Sequence, residues 1–468
     1  MKRILIFMFF ILCLSSVTWA ANDENLTFGL FGTVSIYRKT VQPSNVVLFL
    51  SGDDGWNKGV ADMANQIADM DTLVVGVDVA HYLKEMARGK GKCGYPAADF
   101  EALSKFVQKS LDFPVYIPPL LIGYSSGGSL IYAMLAQSPP NTFEGGISLG
   151  FCPELKLTKS LCKGYGFQAT AADENIYDFV PGGEVQSPWV VLQGQADDTC
   201  RLHTISDYVR SVKNAQWISL PGVGHGFSNP SSWMPQLRDA YRQLSERTIV
   251  AQRKVQSARP VEVKDLPLIE VLPALPQQDF LAVIVTGDGG WASIDRDIGT
   301  AFAEKGISVV GFNSLQYFWS RKTPEQSAAD LNRVLLHYLA LWKKKRAILV
   351  GYSLGADVLP FMASRLPAGT AHNVALIALL GPSRSADFEF HLTDWLGSIS
   401  HKSDHPVLPE VQGLKDYKVA CLFGDEETDS ICKDVRGNKF VSIPLSGGHH
   451  FGGAFKSLAD LILKQMNP

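Results

Sequence analysis

The chain has 468 residues, of which 46% are hydrophobic and 19% charged, with a formal net charge of −3. This length accommodates two or three domains of roughly 150 residues, each with its own buried core. The charge balance gives no basis for binding nucleic acid or another polyanion. The one dense basic run, Lys343-Lys344-Lys345-Arg346, reads as a solvated helix end before an apolar strand.

In chain order, Lys2 and Arg3 precede the apolar run ILIFMFFILCL and then SSVTWA-A. A basic start, an apolar centre and small residues at the end are the marks of an export signal, with cleavage expected after Ala20. The apolar run is too short for a membrane span, which needs ~20 residues. Leu12 before Cys13 does not suit a lipoprotein site. A soluble, exported mature protein is expected.

The rest of the chain repeats one order of elements. NVVLFLS (45–51) runs into Gly52-Asp53-Asp54-Gly55-Trp56, and FLAVIVT (280–286) runs into Gly287-Asp288-Gly289-Gly290-Trp291. Second strands follow at 72–79 and 307–313, then helices at 97–111 and 323–342. Strands that alternate with helices predict a mostly parallel sheet flanked by helices, here twice. The polar, proline-containing stretch 252–267 reads as the linker. This divides the chain into a signal peptide (1–20), a first domain (21–251) and a second domain (268–468).

The third strand of each half ends in a Ser-centred turn, LLIGYSSGG at 120–128 and ILVGYSLGA at 348–356. Gly-x-Ser-x-Gly between a buried strand and a helix lifts a nucleophilic serine above an α/β-hydrolase sheet. Serine is a poor nucleophile at neutral pH, so a histidine must take its proton and a carboxylate must orient that histidine. Both partners follow in the required order in each half. In the first, WVVLQG (189–194) leads to Asp197 and WISLPGVGHGF (217–227) supplies His225. In the second, YKVACLFG (417–424) leads to the loop DEETDSIC (425–432), and GGHHFGG (447–453) supplies two histidines.

The first candidate triad is therefore Ser125, Asp197 and His225. In the second, Asp429 lies three residues before Cys432, as Asp197 lies three before Cys200. Asp429 is the expected acid, with Glu427, three after Gly424, as its rival. Matching Gly-His-x-Phe selects His449 as base, with His450 as the alternative. The expected catalytic set is Ser353, Asp429 and His449. The oxyanion donors would be the backbone N–H groups of Leu354 and Asp288, with Ser126 and Asp53 as first-half equivalents. The Asp288 side chain either pins its loop or meets a cationic group on a substrate. No metal or organic cofactor is needed for this chemistry.

Between the Ser strand and the acid lie the segments FCPELKLTKSLCKGYGF (151–167) and FEFHLTDWLGS (388–398). Their aromatic residues suit contact with a lipid-like ligand or packing against the sheet. Without Cys13, six cysteines remain: Cys93, Cys152, Cys162, Cys200, Cys421 and Cys432. An even count in an exported chain favours disulfides. Cys421 and Cys432 are the available pair in the second half, unless Cys421 is a buried thiol of its strand. The absence of Cys-x-x-Cys argues against zinc.

VTGDGGW (285–291), VGYSLGADVLP (350–360), FEFHLTDWLG (388–397), GDEETDSIC (424–432) and SGGHHFGG (446–453) resemble the AcvB/VirJ family of exported, virulence-associated bacterial proteins. KCGYPAADFEALS (92–104), GYSSGGSLIYAMLAQSPPNTF (123–143), SLGFCPEL (148–155) and VGHGFS (223–228) extend the resemblance to the long AcvB-like form. The resemblance implies a periplasmic hydrolase acting on aminoacylated phosphatidylglycerol, such as the lysyl form, at the membrane surface. It places the activity in the C-terminal domain, at Ser353, and leaves the first domain to bind or position lipid or a partner. The rival expectations are a non-enzymatic factor supporting virulence secretion and an esterase on another lipid.

Overall fold

The computed structural model describes residues 24–182, 184–200, 202–245, 263–274, 278–391, 405–453 and 455–466. The signal peptide read at 1–20 and residues 252–262 of the expected linker lie outside the described residues. The last part of that linker is not a free spacer. Val263 and Leu266 are buried in the core of the second sheet, because both are apolar and lead straight into its first strand.

The first sheet begins with β1 (Glu24–Phe28), β2 (Gly32–Tyr37), β3 (Asn45–Leu50), β4 (Thr72–Val77), β5 (Leu120–Tyr124) and β6 (Gly145–Leu149). A small antiparallel sheet of β7 (Glu154–Lys156), β8 (Ala169–Asp173) and β9 (Ile176–Phe179) is inserted next. β10 (Glu184–Gly194) and β11 (Lys213–Leu220) return to the main sheet, whose order is β1-β2-β4-β3-β5-β6-β10-β11.

The second sheet is built from β12 (Leu268–Val271), β13 (Phe280–Val285), β14 (Ser308–Phe312), β15 (Arg346–Tyr352) and β16 (Val374–Leu380). β17 (Ser385–Ala386) and β18 (His405–Pro406) pair apart from it, and β19 (Val419–Gly424) and β20 (Phe440–Leu445) complete it. Its order is β12-β14-β13-β15-β16-β19-β20. Apart from the extra edge strand β1, the two sheets have the same strand order, and each has one antiparallel pair ahead of its parallel strands. Both are α/β-hydrolase sheets, with their central strands buried on both faces as parallel packing requires.

The repeated Gly-Asp-x-Gly-Trp turns have a packing reason. Trp56 lies over Gly76 of β4 and Trp291 over Gly311 of β14. A Cβ at those glycines would fall 2.2 Å and 2.4 Å from the rings. In the inserted aromatic segments Phe151, Phe167, Phe388 and Phe390 are buried, Tyr165 is exposed, and residues 392–398 lie outside the described residues. Of the basic run at 343–346, Lys344 is also buried, where its Nζ donates to the Gln278 carbonyl at 2.8 Å.

The two halves touch through Trp319. Its Nε1–H donates to the Phe113 carbonyl at 2.7 Å, and Lys109 Nζ donates to the Trp319 carbonyl at 2.6 Å.

Candidate active sites

β5 and β15 occupy the centres of their sheets, and each ends in a serine with a strained backbone. Ser125 has φ 54° and ψ −123°, and Ser353 has φ 52° and ψ −121°. These are left-handed conformations that non-glycine residues rarely hold outside functional turns. The turn closes because its two glycines meet. A Cβ at Gly123 would lie 2.7 Å from the Gly127 backbone, and one at Gly351 would lie 2.4 Å from the Gly355 carbonyl oxygen. The Ser-centred turn is thus built alike in both domains. Each serine then starts a helix, Ser126–Gln137 or Leu354–Ser364.

In the first domain the whole relay is connected. Ser125 Oγ lies 3.0 Å from His225 Nε2, and His225 Nδ1 lies 2.9 Å from Asp197 Oδ2. The Asp197 side chain is fully buried. It also accepts hydrogen bonds from Gln193 Nε2 at 2.7 Å and from the backbone N–H groups of Thr199 and Cys200 at 3.0 Å each. Those donors fix the carboxylate, and the carboxylate fixes the Nδ1–H tautomer of His225. The sequence expectation of Ser125, Asp197 and His225 is thus a set that the fold brings together.

In the second domain the carboxylate paired with His449 is the rival Glu427 rather than the expected Asp429. His449 Nδ1 lies 2.5 Å from Glu427 Oε1, and Glu427 Oε2 accepts from the Gly424 N–H at 2.7 Å. Asp429 is exposed, and among the described residues it makes no hydrogen bond or ion pair with His449. The strand end sets the acid's position, not the cysteine. Glu427 is three residues past Gly424 as Asp197 is three past Gly194, and the loop is longer only beyond that point. The alternative His450 faces another partner, with its Nδ1 2.9 Å from the Tyr352 hydroxyl. Burial, and then the neighbouring His449, hold the His450 pKa below its usual value. Ser353 and His449 are neighbours across Gly381. Ser353 N–H donates to the Leu380 carbonyl at 3.0 Å, and the His449 ring rests on the next residue, Gly381. Among the described residues, Ser353 Oγ makes no hydrogen bond to His449.

Gly381 (φ 61°) and its counterpart Gly150 (φ 66°) were not singled out by sequence reasoning. A Cβ at Gly381 would sit 2.8 Å from His449 Cε1, and one at Gly150 would sit 3.3 Å from His225 Cε1. The signal was present: each is the glycine that ends the strand after the Ser turn, in SLGF and LLGP.

The expected oxyanion loops run beside the serines. A Cβ at Gly52 would lie 3.2 Å from Ser125 Cβ, and one at Gly287 would lie 3.5 Å from Ser353 Cβ. Asp53 and Asp288 are the next residues along. The N–H groups of Asp53, Ser126 and Leu354 meet no acceptor among the described residues.

A buried acid supports the second site. Asp357, on the first turn of the helix after Ser353, accepts the Ser383 N–H at 2.6 Å, and its Oδ2 lies 2.8 Å from the Ser383 hydroxyl. Burial, against the pull of those bonds and with the help of Asp429 and Asp288, raises its pKa to about 8. In the first domain Ser129 takes the same place and donates to the Cys152 carbonyl at 2.6 Å.

Disulfides join Cys93 to Cys162, Cys152 to Cys200 and Cys421 to Cys432. The last pair is the expected one. Cys152–Cys200 and Cys421–Cys432 each tie the far end of an acid loop to the sheet. Asp197, Cys200 and His225 come within 4.8 Å of one another. Cys200 is bridged, so the group offers a metal no thiolate.

Residues 279–468 match the family model described as bacterial virulence protein (VirJ). No curated protein matches the chain by sequence. Among solved structures, an esterase domain from Rhodothermus marinus is similar at 16% identity and TM-score 0.31, covering 45% of this chain and 91% of its own. A putative dienelactone hydrolase from Klebsiella pneumoniae is similar at 13% identity and TM-score 0.35, covering 48% and 97%. An α/β serine hydrolase without a lid from Xanthomonas campestris is similar at 17% identity and TM-score 0.31, covering 48% and 94%.

Proposed function

Because this chain is of the VirJ/AcvB type, with two sheet-bearing domains that fit the long form, we propose that it is a periplasmic serine hydrolase. Its second domain cleaves the aminoacyl ester of aminoacyl-phosphatidylglycerol to phosphatidylglycerol and a free amino acid. The observation that carries the reading is the Glu427–His449 pair at 2.5 Å beside the strained turn of Ser353.

Ser353 Oγ attacks the aminoacyl carbonyl carbon while His449 Nε2 takes its proton. Glu427 holds the Nδ1–H and stabilises the imidazolium that forms. The carbonyl oxygen, now negative, is received by the N–H groups of Leu354 and Asp288. Collapse breaks the bond to the glycerol oxygen, which takes the proton back from His449. Water, deprotonated by the same histidine, then frees the amino acid and restores Ser353.

Export is supported by the three disulfides, which persist in an oxidising compartment. No described helix is long and apolar enough to cross a membrane, and the lipid would be met at the periplasmic membrane surface.

The test is purified full-length protein on a panel of lysyl-, alanyl- and unmodified phosphatidylglycerol. Release of the amino acid by the native protein and its loss in Ser353→Ala are expected. No release from any aminoacyl lipid would favour a non-enzymatic role, and release of fatty acid from the unmodified lipid would favour a different esterase.

A further inference from the structure

The first domain carries the better connected of the two centres. The resemblance to AcvB-like proteins leaves it a binding role, but its relay runs unbroken from Ser125 through His225 to Asp197 at 3.0 Å and 2.9 Å. We propose that the first domain is a second, separately competent ester-hydrolysing centre. Ser125 is its nucleophile, and it takes carboxylic esters that carry positive charge in preference to anionic ones. This goes beyond the assignment of lipid hydrolysis to Ser353 and does not depend on it.

Several features of this centre run against folding stability and are accounted for by catalysis. Ser125 holds φ 54°, a conformation that costs on the order of 1–3 kcal/mol. The N–H groups of Ser126 and Asp53 have no acceptor among the described residues. The Ser126 hydroxyl is buried without a partner, in a residue only 7% exposed. Groups left unpaired in this way destabilise a fold unless a ligand completes them. An ester carbonyl bound at Ser125 would complete them, because its oxygen becomes an anion as the serine adds. The second domain has Leu354 where the first has Ser126, so the two centres differ in the polar groups beside the nucleophile.

The charge preference comes from the loop that passes Ser125. Asp53 and Asp54 follow Gly52, which lies beside Ser125 and Tyr124. Burial first, and then Asp54, Asp197 and Asp53, raise the pKa of the Tyr124 phenol. An ester with an ammonium group meets attraction at this mouth, and one with a carboxylate meets repulsion.

The reaction balances without any further reagent than water. The Ser125 Oγ–H proton passes to His225 Nε2 as Oγ bonds to the ester carbon. The bond from that carbon to the alcohol oxygen then breaks, and His225 returns the proton to that oxygen. In the second half His225 takes a proton from water, the hydroxyl adds to the acyl carbon, and the Ser125 Oγ–C bond breaks. Ser125 recovers its proton and a carboxylic acid leaves.

The experiment uses full-length protein in four forms: native, Ser125→Ala, Ser353→Ala and the double variant. Each is treated with a fluorophosphonate and its peptides are mapped by mass spectrometry. Each is then assayed with lysine ethyl ester and with monoethyl succinate. In Ser353→Ala, label on Ser125 is expected, with lysine ethyl ester turned over at least tenfold faster than monoethyl succinate and both rates lost in the double variant. A folded Ser353→Ala protein, by circular dichroism, that takes no label and is no faster than the double variant overturns the proposal. Equal or faster turnover of monoethyl succinate overturns its charge preference. The lipid assay keeps the two readings apart. Loss of aminoacyl-lipid hydrolysis in Ser353→Ala with Ser125 unlabelled sinks this proposal and leaves the second-domain reading standing. Retention of lipid hydrolysis with Ser125 labelled does the reverse.

Discussion

Glu427 Oε1 stands 2.5 Å from His449 Nδ1, and Glu427 lies as far past the end of β19 as Asp197 lies past the end of β10. Glutamate reaches the ring despite its extra methylene because its other oxygen is tied back to the Gly424 N–H at 2.7 Å. Replacing Glu427 with Gln keeps the shape but lets the amide present N–H to the ring, which favours the wrong imidazole tautomer. A fall in kcat of about 10³–10⁴-fold with KM little changed is expected for Glu427→Gln. Asp429→Asn, at an exposed position, is expected to stay within about twofold. Steady-state kinetics on an aminoacyl lipid checks both, and the opposite ranking would restore Asp429 as the acid.

Gly381 is a second test of the same geometry. Its φ of 61° and the 2.8 Å from a built Cβ to His449 Cε1 leave no room for a side chain. Gly381→Ala must push the ring away from Ser353 or shift the end of β16. A misplacement of about 1 Å costs on the order of 10²-fold in rate. The variant is expected to keep its circular dichroism spectrum and lose kcat by about that factor. An unchanged kcat would mean that the His449 position is not set by this contact.

Much of this was legible in the sequence because the fold writes itself in local patterns. Buried strands ending at glycine, the Ser-centred turns and the order of acid and histidine all survive as short strings. The acid of the second domain was harder to read, because two reference points, Gly424 and Cys432, gave different answers. The distance from the strand end decides which side chain can reach the histidine, and the length of the remaining loop is free to vary. Asp357 was invisible for another reason. It sits in an apolar helix, and its partner Ser383 is brought to it by the loop after β16, which no spacing rule connects to position 357. The aromatic segments left two readings open, lipid contact and packing against the sheet. Phe388 and Phe390 pack on other rings, and composition alone does not separate that from lipid contact.

Asp357 makes stability depend on pH. Its folded pKa is about 8, against ~4 for an aspartate in the unfolded chain. Between those values the folded protein holds a proton that the unfolded chain has lost, so stability falls as pH rises through that window. Asn mimics the protonated acid: its carbonyl accepts the Ser383 N–H and its amide donates to the Ser383 hydroxyl. Asp357→Asn is therefore expected to flatten the fall in Tm of the second domain between pH 6 and pH 9, and to melt above the native protein at pH 9. Thermal unfolding at the two pH values checks this, and parallel curves for the two proteins would show that Asp357 is ionised in the fold.

The Cys421–Cys432 disulfide closes a short loop around the acid, with the two cysteines 11 residues apart. Both are fully buried, and the Cys432 carbonyl is held by the Ser442 hydroxyl at 2.7 Å on the neighbouring strand β20. The bridge therefore ties the far end of the Glu427 loop to two strands of the sheet. Opening it releases the unfolded chain from a constraint worth about 3 kcal/mol by loop entropy. It also frees the segment that aims Glu427 at His449. The paired replacement of Cys421 and Cys432 by Ala is expected to lower the stability of the second domain by about that amount and to slow fluorophosphonate labelling of Ser353. Labelling of Ser125 should be unchanged, because its acid loop is tied by a different bridge, Cys152–Cys200. Parallel slowing at both serines would point to a general loss of structure, and unchanged labelling at Ser353 would show that Glu427 is positioned without the disulfide.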